Sequence, residues 1–231
     1  MKFIVIGLGN FGAALAINLT EMGHEVIGVD KRLPKVDFLK DKITFTVSLD
    51  ATDVLAVSSL PIKDVDVVII AIGEEEGSSI MATAVMKQQG AKRIISRAIT
   101  PVEHMVLEAM GIDEIIHPEE DAAVRLAKKL NIKGIIDAFA LAGAYNIIEV
   151  KVPDNFIGKK LEEIKLSKEY NLLVLTIIKS KKITSIFNLQ RNVQEINGVA
   201  TADTKLEKGD ILVIFGDINN IKRMIDETIN N

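Results

Sequence analysis

Residues 7–12 read Gly7-Leu8-Gly9-Asn10-Phe11-Gly12, a glycine-x-glycine-x-x-glycine turn. Glycines at this spacing serve phosphate chemistry. The first admits a tight turn, the second lets a phosphate approach the backbone, and the third lets a helix pack close to a sheet. A helix that opens on such a turn offers free N–H groups and the positive end of its dipole to an anion. Three glycines alone are a weak signal. Here they gain weight from context, because an apolar run precedes them at 3–6 and a helical pattern follows at 11–22. The same chemistry calls for an acid about 20 residues further on, at the end of a second strand, to take a ribose hydroxyl. Asp30 stands there, followed by Lys31.

The elements needed to hold these residues are visible in the first half of the chain. Short runs rich in Val and Ile at 3–6, 25–29, 44–48, 65–72, 93–97 and 114–117 read as strands buried on both faces of a parallel sheet. Helical patterns at 11–22, 78–89, 101–110 and 118–130 lie between and after them. Gly23, Gly90 and Gly111 stop three of these, and Pro101 and Pro118 start two. Strand and helix in repeated alternation predict an α/β, Rossmann-type doubly wound parallel sheet. Ligands of such sheets lie at the carboxyl ends of the strands. That places Asp50, Ala51, Thr52 and Asp53 after the third strand, Ala71 and Gly73 at the end of the fourth, Arg97 at the end of the fifth and Glu119 after the sixth as candidate lining. Thr52 or Asp53 equally suits a helix N-cap, and Glu119 a favourable first-turn acid. The run Glu74-Glu75-Glu76 fits a solvated helix start or an aid in holding a cation near phosphates.

The pattern changes after residue 130. The apolar stretch 131–143 is expected to be a helix joining two domains, 1–133 and 144–231. Beyond it, strands are expected at 147–152, 172–178, 183–187 and 211–215, and a closing amphipathic helix at 218–229, which together make a small α+β domain.

Composition narrows the function classes. The chain has 231 residues, 48% hydrophobic and 26% charged, with a formal net charge of -4. A slightly acidic chain lacks the basic surface that duplex binding requires, so no nucleic acid is expected. The absence of cysteine excludes thiol nucleophiles and cysteine zinc sites. No run approaches the roughly 18 apolar residues of a membrane span. Acid–base catalysis is poorly served. The histidines are His24, His104 and His117, and Tyr145 and Tyr170 are followed four residues later by Glu149 and Val174 rather than lysine. The chain is therefore expected not to be an enzyme. The alternative of a nicotinamide-dependent oxidoreductase needs an acid or base that residues 118–231 do not offer as histidine.

The loop 7–12, Asp30, Asp50-Ala51-Thr52-Asp53, Ala71-Ile72-Gly73 and the stretch 111–119, with Leu206-Glu207-Lys208-Gly209-Asp210 before the last strand, resemble the RCK (or KTN) domains of Ktr/Trk-type potassium uptake systems. The similarity covers the whole chain, as an RCK N-terminal nucleotide-binding domain followed by an RCK C-terminal domain. It implies a cytoplasmic regulatory subunit, peripheral on the inner face of the membrane. It implies a homo-oligomer, built from dimers into an octameric ring, on a membrane-embedded potassium-conducting subunit. Binding of ATP or ADP, or of NAD(H), switches the ring's conformation. A nucleotide sensor of another cation transporter is the nearest alternative. By the resemblance, the phosphate loop falls on Gly7, Gly9 and Gly12, with Asn10 and Phe11 of the same turn in the cofactor site, the ribose on Asp30 beside Lys31, and the base on Asp50, Ala51, Ala71 and Gly73. A basic phosphate contact falls on Arg97, and Glu119 is the acid beside Mg²⁺ or another cation. Two departures from the family stand out. Many Ktr-type members carry an arginine at the position of Asn10, and the residues that hold cyclic di-AMP in some relatives correspond to Lys165 and Ser167. Cyclic di-AMP is accordingly not expected.

Overall fold

A computed structural model of the chain describes residues 1–74, 77–131, 134–184, 190–196 and 198–229. The chain divides into two compact units, Met1–Glu120 and Asp121–Asn231. In the first, strands and helices alternate: β1 (Lys2–Ile6), α1 (Asn10–Glu21), β2 (Glu25–Asp30), α2 (Leu33–Leu39), β3 (Phe45–Ser48), α3 (Val54–Val57), β4 (Val67–Ile70), α4 (Ser78–Gln88), β5 (Ile94–Arg97), α5 (Pro101–Ala109) and β6 (Glu114–Ile116). The division falls within α6 (Pro118–Asn131). The six strands form one parallel sheet in the order β3-β2-β1-β4-β5-β6.

Why the strand runs are apolar throughout follows from the two cores. Phe3, Val5, Val67 and Ile69 pack with Ala16 of α1 and Val36 and Leu39 of α2. Their neighbours Ile4, Ile6, Val68 and Ile70 pack with Val57 of α3 and Ala82, Val85 and Met86 of α4. Successive side chains alternate faces, so a strand covered on both sides must be apolar at every position. Complete burial of a single Ile contributes about 1.5–3 kcal/mol, and Ile4, Ile6 and Ile70 are all at or below 1% exposure.

The second unit contains β7 (Ile135–Ala140), β8 (Tyr145–Lys151), α7 (Leu161–Ile164), α8 (Leu166–Tyr170), β9 (Leu173–Thr184), β10 (Gln190–Ile196), β11 (Ile211–Asp217) and α9 (Ile218–Ile229). Its strands form an antiparallel sheet, β10-β9-β11-β8-β7. Alternate residues of β8, Ile148 and Val150, share a core with Leu212 and Ile214 of β11 and with Ile221, Met224 and Ile225 of α9. Those three sit at the spacing of one helix face.

Two expectations change. The stretch 131–143, expected as a joining helix, carries β7 instead. Ile135 and Ala138 are buried there, and β7 pairs antiparallel with β8 between the left-handed glycines Gly134 and Gly143. Pairing with a neighbouring strand overrides the helical look of a short apolar run. The expected strands 172–178 and 183–187 share one long element, β9, as far as Thr184. The end of the second lies outside the described residues, as do Glu75 and Glu76.

Candidate functional site

The strand order of the first sheet reverses between β1 and β4, and ligand crevices of doubly wound sheets open at that point. A cleft of about 270 Å³ lies there, near the lower end of small-ligand pockets at about 300 Å³. Its floor is the glycine turn. Gly7 takes φ +94°, and a Cβ there would meet the Ile72 amide nitrogen at 2.9 Å. Gly12 packs beneath the turn. A Cβ on it would lie 1.9 Å from the Gly7 carbonyl oxygen, so no larger residue fits without moving backbone. Gly9 is the N-cap of α1, makes no side-chain cap, and has no acid in the following turn. The first amides of a helix have no intrahelical partner, so this helix end is left for an anion.

Asp30 closes β2 at 6% exposure. One carboxylate oxygen accepts the Leu8 amide at 2.8 Å, and the other accepts the Arg32 amide at 2.9 Å. These bonds fix the acid beside the turn. Asp50 accepts the Thr52 amide at 2.9 Å and the Thr52 hydroxyl at 2.7 Å. Those two bonds hold its carboxyl below the usual range, with a further contribution from Lys31. Ala71 and Gly73 line the cleft after β4.

Arg97 ends β5 with its side chain 13% exposed. It donates to the Ala71 carbonyl at 3.4 Å and pairs with Glu119 at 2.5 Å. Its guanidinium lies against Gly73, where a Cβ would come within 2.3 Å of it. The Ser79 hydroxyl donates to the Arg97 carbonyl at 2.8 Å and ties α4 to this strand end. The buried Arg97 Nε has no acceptor among the described residues. A buried donor without a partner is uncommon.

The structure thus brings Gly7, Gly9, Asn10, Phe11, Asp30, Lys31, Asp50, Ala51, Ala71, Gly73, Arg97 and Glu119 to one cleft, with Gly12 beneath the turn. Asp53 is not among them. It caps α3 by accepting the Leu55 amide at 2.8 Å. Sequence reasoning missed Arg32 and Lys35, which pair with Glu74 across the cleft mouth at 2.5 and 2.9 Å. The basic run after Asp30 was the available signal. Arg32 and then Lys35 pull the Glu74 carboxyl down to about 2. Among the described residues, no three metal-ligating side chains come together. Glu119 offers a cation one carboxylate that already pairs with Arg97.

Away from the cleft, His104 and His117 stack and share a hydrogen bond of 2.9 Å, while His24 lies against Phe3. None of the three lines the cleft.

The TrkA-N domain model matches residues 3–118 and the TrkA-C domain model residues 147–228. The Ktr system potassium uptake protein A of Bacillus subtilis (strain 168) is 30% identical over 98% of this chain and 96% of its own length. The solved GsuK channel bound to NAD shares the fold over the whole of this chain and 39% of its own, at a TM-score of 0.62 and 16% identity. The NAD(P)-binding domain of an exopolyphosphatase-related protein from Archaeoglobus fulgidus covers 56% of this chain and 96% of its own, at a TM-score of 0.51 and 25% identity. With both domain models matched in order and a relative of this identity along nearly its whole length, the chain belongs to the family of TrkA-N and TrkA-C domain proteins that includes the Ktr potassium uptake proteins.

Proposed function

We propose that the chain is a nucleotide-sensing regulatory subunit of a potassium uptake system and not an enzyme. The transport role rests on the likeness to Ktr protein A along both chains. The ligand rests on one observation above the others, the uncapped start of α1 beside the buried Asp30 at the strand-order reversal. Asp30 would take a ribose hydroxyl, the amides after Gly7 and Gly9 the phosphates, and the Arg97 side chain would supply positive charge beside them. Asp50, Ala51, Ala71 and Gly73 would border the base. None of these groups forms an acid–base pair suited to turnover, which supports a binding role.

Regulation then follows from linkage. A ligand that binds two arrangements of an assembly with different affinity shifts the balance between them. The proposed assembly is a ring of copies on the cytoplasmic face of a potassium-conducting membrane subunit. Among the described residues no helix is long and apolar enough to cross a membrane, so the membrane contact would come through that partner. A divalent cation such as Mg²⁺ would take most of its ligands from phosphate oxygens, because Mg²⁺ is usually held through one or two carboxylates plus substrate phosphates. Glu119 is the available carboxylate.

Asn10 favours NAD(H) over ATP, since an uncharged side chain at the turn adds nothing to a third phosphate. Calorimetric titration with ATP, ADP, NAD⁺ and NADH, with and without Mg²⁺, tests the ligand. Tight binding of at least one supports the reading, and binding of none overturns it. Potassium uptake by a cell lacking its own system, restored only when this chain is expressed with its membrane partner, tests the role.

A further inference from the structure

Glu74 is the cleft residue that a nucleotide leaves without a task. Its carboxylate is held by Arg32 at 2.5 Å and Lys35 at 2.9 Å, and Arg32 also reaches Asp30 through Nε at 3.4 Å. A Cβ built on Gly9 would lie 3.7 Å from Glu74 Oε1 and 4.0 Å from Lys35 Nζ. A carboxylate therefore stands over the second glycine of the turn, the place where the backbone admits a phosphate. Below it α1 begins without a cap or a first-turn acid, so free amides and the helix dipole favour negative charge at that spot. The Arg32 and Lys35 hydrogen bonds keep Glu74 ionised down to about 2, so the charge is present throughout the neutral range.

We propose that Glu74 is a resident anion at the phosphate position, which nucleotide phosphates must displace to reach Arg32 and Lys35, so that Glu74 sets how strongly the cleft prefers ligands by their phosphate charge. The proposal rests on the nucleotide reading above. Binding becomes an exchange of one anion for another. Arg32 and Lys35 pass from a carboxylate to a phosphate and keep a counter-charge throughout. Adenosine carries no phosphate, makes no such exchange and leaves Glu74 in place. ADP and ATP each evict it, so their affinity is lower than the two cations alone would give.

The test is calorimetric titration of the full chain and of Glu74→Gln with adenosine, ADP, ATP and NAD⁺, the last counted with ADP and ATP as a phosphate-bearing ligand. Glu74 is exposed over half its side chain, so the variant retains its fold, and thermal melts verify that. Exposed ion pairs of this kind each correspond to a factor of about 1.5 to 5. Glu74→Gln should therefore bind ADP and ATP roughly fivefold more tightly and adenosine no differently. Equal or weaker binding of ADP and ATP would show that Glu74 only positions the two cations, and would overturn the proposal while leaving the nucleotide site intact. Binding of no nucleotide by either protein would remove the nucleotide reading and this proposal together.

Discussion

The two units solve the same packing problem with opposite sheets, and they place their polar groups differently. In the parallel sheet of the first unit both faces are covered, so every strand position from Phe3 to Ile6 and from Val67 to Ile70 is buried. Polar groups are driven to the strand ends, and Asp30, Asp50 and Arg97 gather at one edge. In the antiparallel sheet of the second unit β8 alternates, with Asn146, Ile148 and Val150 buried and the residues between them partly exposed. Glu149 sits mid-strand at a partly exposed position of β8, and polar side chains meet away from the strand ends, as Tyr170 does in donating to Glu227 at 2.8 Å. The buried charged contact of that unit, Lys179 with Asp210 at 2.6 Å, ties the turn before β11 to β9. Parallel topology concentrates function at a sheet end, while antiparallel topology spreads polarity over a face.

The largest expected break in this comparison comes from Gly12→Ala. The new methyl meets the Gly7 carbonyl oxygen at 1.9 Å, and a backbone atom cannot swing aside as a side chain can. Overpacking of this severity costs about 3 kcal/mol, and the displaced turn should lose nucleotide binding altogether. Gly158→Ala in the second unit is the matched control. Its φ is +85° with nothing within 4 Å, so only the left-handed conformation is penalised, by about 1–2 kcal/mol. Hydrogen exchange should show loss of protection in β1 and β4 for the first variant and unchanged protection there for the second.

Next in size is Asp30→Ala. It removes the acceptor of the Leu8 and Arg32 amides and the proposed ribose contact. Hydrogen bonds to a charged group are worth about 1.5–3 kcal/mol, so adenine nucleotide affinity should fall roughly 30-fold while the sheet stays folded. Since the same carboxylate repels a 2′-phosphate, NADP⁺ should bind the parent chain more weakly than NAD⁺, and Asp30→Asn should narrow that gap. Unchanged affinities on titration would place the ligand elsewhere.

What could be read from the sequence divides along the same line. Residues 7–12 and Asp30 could be placed because each does one job fixed by local geometry. The glycine turn follows β1 directly, and an acid at a strand end needs no distant partner to be recognised. Glu74, Arg32 and Lys35 could not be joined, because their contact links residues 32 and 74 through the crossing of β2 and β4 around β1. Asp53 already suited a helix N-cap from the sequence, and the start of α3 at Val54 makes it one. In the second unit the short run 135–140 gave no period long enough to separate helix from strand. Its strand character comes from β8 lying alongside.

A buried contact of the second unit gives the third prediction. Asp210 is 3% exposed at its side chain and accepts both Lys179 at 2.6 Å and the Glu207 amide at 2.9 Å. Asp210→Ala removes the nearer of two carboxylates from a mostly buried ammonium, leaving Glu207 at 3.6 Å, strips the Glu207 amide of its acceptor, and should destabilise that unit by about 1.5 kcal/mol. Protection from exchange should fall in β9 and β11, and nucleotide affinity should be unchanged. A drop in affinity as large as that of Asp30→Ala would mean that the two units do not divide binding and packing between them.

The smallest effect is expected at Arg125, which pairs with Asp137 of β7 at an exposed position. Its guanidinium is the main reason the Asp137 carboxyl lies below its usual value. A carboxyl with a depressed folded-state pKa contributes stability above its unfolded value, and that contribution fades as pH falls toward the folded-state value. Arg125→Ala should therefore melt slightly below the parent chain at neutral pH and low salt, by less than Asp210→Ala. The difference should shrink as the pH drops below the ordinary aspartate range, and also at about 1 M salt, where screening shortens to about 3 Å. A difference that persisted in both acid and salt would show that the Arg125 stem packs against β7, and the contact would then belong with the buried contacts of this unit rather than with its surface charge.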